Sequence, residues 1–353
     1  MIVALDATPL TLSSGGLRRY TEELARALAV SFPEDEILLV SDQAFGLPRA
    51  GPANLKAGGA PRSWLERRWW LWGLNRELAR RKVEVFHGTN FAVPYVPLKP
   101  SVLSLHDLSP WMDPAWHGAA ERVRRRTPRM LRRATMVLAD SAAVRRQAME
   151  RFGIPARRIA AAPLAAASHL RPVEARAAVP YFLYLGTLEP RKNLGMLVEA
   201  FREVRREHTV ELVLAGRQRS DFTALPETLG LRVVGEVGEE ALAGWYSGAV
   251  ACLYPSLYEG FGLPVLEAMQ CGAAVIASRD QALSEVAGGA AIQLDAGDGR
   301  AWAEAMRAAL DRPAGLAEWR RKGLARAAEF SWERTARATR EVYEEARRLA
   351  GGA

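Results

Sequence analysis

The stretch Tyr258-Glu-Gly-Phe-Gly-Leu-Pro-Val-Leu-Glu267 decides how the chain is read. It follows the apolar run Val250–Tyr254 and opens a helical pattern that continues to Gln270. Gly260 and Gly262 allow backbone angles that side chains resist. Pro264 suits the first helical position, where a missing N–H costs nothing. A strand, a glycine turn and a helix in that order leave the N–H groups near Gly262 and Leu263 pointing out of a helix N-terminus. That end carries partial positive charge and meets oxyanions or sugar oxygens. Glu259 and Glu267 flank the turn, eight positions apart. A carboxylate there suits hydroxyl-rich partners, because it accepts charge-assisted hydrogen bonds. Taken singly, each glutamate is equally well a solvated or dipole-complementing group. The whole string is not explained that way.

A second strand-to-helix junction lies upstream, Leu185-Gly-Thr-Leu-Glu-Pro-Arg-Lys-Asn193. Gly186 ends the strand, and Arg191 and Lys192 enter the next helix at its positive end. Adjacent cations are unfavourable there unless an anion joins them. A diphosphate would supply that anion, and the cations would stabilise charge on a phosphate leaving group. A solvated basic turn is the plain alternative.

Around these junctions the pattern alternates. Apolar runs Tyr181–Leu185, Val210–Leu214, Leu231–Val234, Val250–Tyr254 and Ala273–Ile276 predict strands, with helical spacing over 193–207, 239–247 and 264–270. The first half repeats the scheme. Strands are expected at Ile2–Leu5, Ile37–Val40, Val83–Phe86, Val102–Leu105, Met136–Ala139 and Ile159–Ala162, and helices at 17–30, 64–81, 119–133 and 142–152. Such alternation argues for parallel sheets covered on both faces. The stretch Pro163–Pro180 lacks periodicity and reads as a linker. The expected organisation is therefore a first domain over 1–165, a linker over 166–180, a second domain over 181–330 and a C-terminal helix over 331–353. Whether that helix crosses back to the first domain is left open.

Composition excludes several classes. The 353 residues are 49% hydrophobic and 25% charged, ordinary values for a globular chain. Two cysteines suggest a reducing compartment and make no disulfide framework. The chain shows no signal peptide and no long apolar run, so a cytoplasmic protein is expected. The net charge of +8 is uneven: residues 1–165 hold 25 Lys/Arg against 15 Asp/Glu, hence +10. An anionic partner for that half is implied. Ser63-Trp-Leu-Glu-Arg-Arg-Trp-Trp-Leu-Trp72, with Arg76, Arg80, Arg81 and Lys82, suits contact with an anionic membrane on the cytoplasmic face. Tryptophans covering the sheet and arginines facing water explain the same residues, as does a solvated face for the arginine run 122–133. No nucleic acid partner is expected. The histidines and cysteines show no metal spacing.

Two first-half features lie at strand ends. Ser13-Ser-Gly-Gly-Leu17 follows the first strand, and Gly15 and Gly16 let backbone approach a phosphate closely. A full G-x-G-x-x-G is absent, which argues against a dinucleotide dehydrogenase. His106 and His87 each end an apolar strand, where open α/β sheets bind ligands. A core histidine satisfied by Asp107 is the alternative for His106, and His87, ending a neighbouring strand, is expected to line an acceptor pocket.

Tyr258–Gly272, Gly186–Asn193, Leu283-Ser-Glu-Val-Ala-Gly-Gly-Ala-Ala291 and Phe330-Ser-Trp-Glu333 together resemble the retaining glycosyltransferases of family 4. The likeness is dense over about 180–335 and looser over 1–165. It implies the GT-B fold, an α/β architecture of two Rossmann-like, doubly wound parallel-sheet domains facing a central cleft. It implies transfer of a hexose, with mannose favoured, from a nucleotide diphosphate sugar to a saccharide or lipid-linked acceptor, in glycan, lipopolysaccharide or glycolipid synthesis. By the same resemblance, Glu259 faces the transferred sugar. The backbone at Phe261, Gly262 and Leu263 meets donor oxygens, and Glu267 holds the ribose. Gly15, Gly16, Gly186, Arg191 and Lys192 surround the diphosphate, Val237 lies in the base-contacting loop, and His106 sits near the sugar or acceptor hydroxyl. Glu259, Arg191, Lys192 and His106 are thus the expected catalytic group. No metal or other cofactor is implied. Gly272-Ala-Ala-Val275 lacks the proline common in the family before this valine. An epimerase of the same fold, a pyridoxal-dependent phosphorylase and a basic lipid- or nucleic-acid-binding protein are the rival readings.

Overall fold

A computed structural model describes residues 1–12, 15–46, 51–61, 63–116 and 120–351, which form two compact units. Unit 1 comprises Met1–Leu108, Ala119–Leu164 and Ser331–Ala353; unit 2 comprises Ser109–Gly118 and Ala165–Phe330.

Unit 1 is built on β1 (Ile2–Asp6), β2 (Glu36–Val40), β3 (Leu55–Ala57), β4 (Val85–Gly88), β5 (Ser101–Leu105), β6 (Met136–Ala139) and β7 (Ile159–Ala161). They form one parallel sheet in the order β3-β2-β1-β4-β5-β6-β7. Its helices are α1 (Gly16–Ser31), α2 (Leu74–Arg80), α4 (Glu121–Arg133), α5 (Ala142–Phe152) and α12 (Trp332–Gly351), while the short α3 (Ser109–Met112) belongs to unit 2. Helices on the faces of a parallel sheet bury both sides of each strand, which is why Val3, Ala4 and Leu5 are fully buried in succession. On α1 the buried positions Tyr20, Leu24 and Leu28 recur at helical spacing and turn one stripe to the core. α12 packs against α1 and the sheet, and Thr335 donates to the Pro163 carbonyl at 2.6 Å.

Unit 2 repeats the plan with β8 (Tyr181–Leu185), β9 (Glu211–Ala215), β10 (Leu231–Gly235), β11 (Cys252–Tyr254), β12 (Val275–Ser278) and β13 (Ile292–Leu294). The order is β10-β9-β8-β11-β12-β13, again all parallel. Its longer-numbered helices are α6 (Leu194–Arg205), α7 (Leu242–Gly248), α8 (Leu263–Gln270), α9 (Gln281–Ala287), α10 (Gly299–Asp311) and α11 (Leu316–Ala327). In both sheets the strand order reverses beside the first strand. Ligands of doubly wound sheets bind beyond the carboxyl ends at that reversal. It lies between β1 and β4 in unit 1 and between β8 and β11 in unit 2.

Three sequence expectations need correction here. The first domain does not run unbroken through residues 1–165. Ser109–Gly118 joins unit 2, where Arg219 donates to the Trp116 carbonyl and the Trp116 ring stacks on Tyr258, centroids 6.3 Å apart. The Pro163–Pro180 stretch is irregular, yet it is no free tether. Ala165, Ala166, Ala167 and Leu170 are buried, and Gln270 donates to the carbonyls of Ala167 and Leu170, each at 2.8 Å. The helix expected over 64–81 is broken into a π-helical turn, Trp69–Gly73, followed by α2. The backbone at Gly73 presses against Glu66, where an added Cβ would stand 2.0 Å from the carbonyl oxygen.

Candidate active site

In unit 2 the two junctions singled out in the sequence leave the two strands that flank the reversal. The 186–193 segment follows β8 and the 255–267 segment follows β11. They converge. Leu257 N–H donates to the Arg191 carbonyl at 2.9 Å, and Arg191 Nη1 donates to the Tyr258 carbonyl at 2.8 Å. A 3-10 turn over Pro190–Lys192 and a left-handed Asn193, φ 58°, turn the chain sharply before α6. Asparagine tolerates that conformation better than most residues, and its amide is tied to the Ala296 carbonyl at 2.7 Å.

Glu259 is the centre of the convergence. Its Oε1 receives Lys192 Nζ at 2.5 Å and the Ser256 hydroxyl at 2.7 Å, and its Oε2 receives Arg191 Nη1 at 2.9 Å. Burial works to raise the Glu259 pKa, but the Lys192 and Arg191 charges win and bring it down to about 2. Burial and the neighbouring Arg191 charge in turn lower the Lys192 pKa, against the pull of Glu259 and Glu189. Arg191 Nη2 also pairs with Glu189 at 2.7 Å, and Arg219 closes on the same carboxylate. The sequence expectation that Arg191 and Lys192 await an anion is thus corrected. Glu259 and Glu189 already compensate them inside unit 2, and a ligand diphosphate would enter an existing charge network.

The glycine turn behaves as its composition predicts. Gly262 has φ 109° and caps α8, and a Cβ on it would meet Leu283 at 2.6 Å. A side chain there would be strained by the backbone angle and would displace the Leu283 methyl. Phe261 is buried edge-on to Phe330, and Leu263 begins the helix. Glu267, one turn on, is 2% exposed, and its Oε2 accepts from the Tyr246 hydroxyl at 2.8 Å. Burial and the Glu267 charge push the Tyr246 pKa far up, so the phenol remains a donor. Gly186 follows β8, beside Gly216, which approaches so closely that a Cβ there would lie 2.0 Å from the Gly186 oxygen. Val237 is half-buried just past β10, the edge strand. Asp280 caps α9 through the N–H groups of Ala282 and Leu283, and burial raises its pKa to about 6.

Unit 1 holds the remaining expected residues. Gly15, φ 110°, caps α1, and a Cβ on it would meet nothing within 4 Å. Gly16 starts the helix. Ser13 and Ser14 of the same motif lie outside the described residues. Arg18 Nη1 donates to the carbonyls of Leu10 and Leu12, at 2.6 and 2.7 Å, and so fixes the approach to the motif.

The two histidines differ sharply. His106 donates Nδ1–H to Asp140 Oδ2 at 2.8 Å and Nε2–H to the Thr89 carbonyl at 2.7 Å. Both partners accept only, so the ring needs both protons. Burial opposes the charge, yet Asp140 outweighs it and the His106 pKa is raised. The partner is Asp140 rather than the neighbouring Asp107. His87 is fully buried, with the Tyr343 hydroxyl 2.7 Å from Nδ1 and the Ser104 hydroxyl 2.8 Å from Nε2. Burial lowers its pKa to about 3. The acceptor-pocket reading of His87 is corrected: it is a neutral core residue that joins α12 to the sheet.

Sequence reasoning missed Glu189, Arg219, Ser256, Tyr246 and Asp140. Only Asp140 carried a signal, as a carboxylate directly after an apolar strand. Among the described residues no three His, Cys, Asp or Glu side chains gather where they could hold a metal ion.

A family profile described as Glycosyl transferases group 1 matches residues 179–312, and one described as Glycosyltransferase Family 4 matches residues 14–165. The O-antigen chain mannosyltransferase B of Escherichia coli is 30% identical to this chain, covering 97% of it and 99% of the relative. The chain belongs to the family 4 glycosyltransferases. A solved sucrose-phosphate synthase from Thermosynechococcus elongatus superposes with TM-score 0.77 at 21% identity over the full length of both chains. Anabaena HepE, solved with UDP and glucose, gives 0.70 at 17% identity over 96% of this chain and 98% of its own. At these identities the likeness establishes the fold, GT-B. This family 4 enzyme is a nucleotide-sugar-dependent glycosyltransferase.

Proposed function

We propose that this glycosyltransferase transfers mannose from GDP-mannose, with retention at the anomeric carbon, to a saccharide carried on a lipid-linked acceptor during surface polysaccharide synthesis. The observation that carries the reading is Glu259 locked between Lys192 and Arg191 at the strand-order reversal of unit 2. The mannosyltransferase relative that matches nearly end to end supports the sugar.

Arg191 and Lys192 bind the donor diphosphate, and Glu267 takes the ribose hydroxyls. The N–H groups at Phe261, Gly262 and Leu263 meet donor oxygens, Gly186 admits the phosphates, and Val237 lies by the base. When the bond from the anomeric carbon to the diphosphate oxygen breaks, the electron pair goes to GDP. Fixed cations stabilise that charge without reorganising, a role that needs no bound divalent ion. The acceptor hydroxyl attacks from the same face, and its proton passes to the departing phosphate. Glu259 positions the sugar. His106, charged and held on both sides, supplies a fixed positive group and not a base.

The exposed apolar residues of unit 1 support docking on the cytoplasmic face of a membrane. Trp64 is 72% exposed, Trp72 57% and Leu98 69%, while Trp69 is buried in the core. Tryptophan beside arginine suits the headgroup region. No helix among the described residues is long and apolar enough to cross a membrane. In co-sedimentation with vesicles containing anionic lipid, W64A/W72A should bind less than the wild type.

Nuclear magnetic resonance of the reaction tests the chemistry. With GDP-mannose and acceptor, the product should show an α-linked mannose, and EDTA should leave the rate unchanged. With no acceptor present, the sugar of GDP-mannose should stay unaltered. A β-linked product, or an epimerised nucleotide sugar, would overturn the reading.

A further inference from the structure

Arg126, on α4, is set apart from the other arginines. Its Nε and Nη2 are both buried and have no hydrogen-bond partner among the described residues. No other described arginine has that pair of donors orphaned together. The two N–H bonds lie parallel along one edge of the guanidinium, the fork that matches two oxygens of one phosphate or carboxylate. Buried donors are ordinarily paired, so an empty fork calls for an occupant.

The surroundings hold this fork in place. The Arg126 guanidinium lies 5.7 Å from the ring centroids of both Trp70 and Tyr95, and Arg133 approaches Tyr95 at 5.8 Å. Tyr95 N–H donates to the Trp70 carbonyl at 2.9 Å, which ties the two aromatic segments together. Stacking of this kind fixes the plane of an arginine and leaves its edge for hydrogen bonding. The cage lies near enough to the carboxyl end of β1 for charge to be felt there. Arg126 is among the charges that act on Asp6, the last residue of that strand. Asp6 does not fill the fork, since neither Nε nor Nη2 has a partner within hydrogen-bond distance among the described residues; the Asp6 Oδ1 instead accepts from the N–H and hydroxyl of Thr8, at 3.0 and 2.6 Å. In a sheet of this kind, that end beside the reversal is the ligand-binding edge.

We propose that Arg126, caged by Trp70 and Tyr95, binds a phosphoryl group of the acceptor and so selects phosphorylated acceptors over neutral ones. Positive charge in the first half favours an anion there, and α4 contributes further arginines at 122, 125 and 129. The phosphoryl group belongs either to a lipid-linked saccharide or to a soluble sugar phosphate. That the phosphoryl group belongs to an acceptor rests on the proposed function; its capture by Arg126 is read from binding alone. A chain that captures phosphate through Arg126 and transfers no sugar would refute that function and keep this site.

Isothermal titration of the full chain uses three probes: octyl phosphate, glucose 1-phosphate and octyl glucoside. The proteins are the wild type, R126M, R126K and K192A. R126M should weaken binding of at least one phosphate about tenfold or more, and should leave octyl glucoside unchanged. R126K keeps the charge without the fork and should recover only part of the loss. K192A, altered in unit 2, should retain the Arg126-dependent binding. Loss confined to octyl phosphate assigns the group to a lipid-linked acceptor, and loss confined to glucose 1-phosphate assigns it to a soluble one. Wild-type affinity for both phosphates in R126M and R126K would overturn the proposal. So would an equal loss of octyl glucoside, which would make Arg126 a packing residue. Should R126M fail to fold, R126K decides, because wild-type phosphate affinity in that variant refutes the fork.

Discussion

The two units share a strand order and differ in how they hold charge at the carboxyl edge. In unit 2, Arg191, Lys192, Glu189 and Glu259 neutralise one another within two neighbouring strand-end segments. In unit 1, the charged His106 is compensated by Asp140 from the end of another strand, and the Arg126 fork has no hydrogen-bond partner among the described residues. The same scaffold therefore carries a preformed network in one unit and separate long-range devices in the other. Truncating one member of the unit 2 network strands a buried opposite charge, whereas each unit 1 device can be altered alone.

The largest effect is expected at the centre of the unit 2 network. Glu259→Gln leaves Lys192 and Arg191 without their buried carboxylate, and breaking such a pair costs about 3–5 kcal/mol. Urea denaturation should show that loss, and transfer should fall about a hundredfold or more if the sugar is positioned there. A variant with wild-type stability would break the contrast between the units. Next, Lys192→Ala or Arg191→Ala should each forfeit roughly 1.5–3 kcal/mol of transition-state binding, seen as a ten- to hundredfold lower kcat/KM, to order of magnitude.

Unit 1 responds to mild acid through His87. His87 has a folded pKa of about 3, below its ordinary 6.5. The unfolded chain therefore takes up a proton first as pH falls. Stability from this residue is complete above 6.5 and declines toward 3, by about 2 kcal/mol at pH 5. Denaturation at pH 7 and pH 5 should show this, and His87→Phe should flatten it. His106 has the opposite sign, since its raised pKa contributes stability at low pH that is lost as pH rises through it. The smallest effect is expected in Asp140→Asn, which should lower the His106 pKa in a proton-resonance titration and leave donor binding intact.

The same contrast explains what was legible in the sequence. Strand–turn–helix junctions are local, so Gly186–Asn193 and Tyr258–Glu267 could be read directly. Their meeting through Glu259 depends on strand order, which no local pattern states. Glu189 lies inside the Leu185–Asn193 junction and pairs with Arg191 two positions on, but its second partner, Arg219, is 30 positions away in the chain. His87 and His106 look alike in sequence, each at the end of an apolar strand. What separates them is remote: Tyr343 on α12 for one, and Asp140 after β6 for the other. Arg126 was hidden in an arginine-rich helix that reads as a solvated face, because the rings that cage it come from other segments.

Thermal unfolding of the wild type and K192A with GDP-mannose, UDP-glucose and ADP-glucose tests the central claim most directly. At a ligand concentration a hundredfold above its dissociation constant, the wild type should gain about 2.7 kcal/mol from one of these donors. K192A should lose most of that gain at the same concentration. No stabilisation by any of the three, or equal stabilisation of both proteins, would contradict a diphosphate site at Lys192 and Arg191.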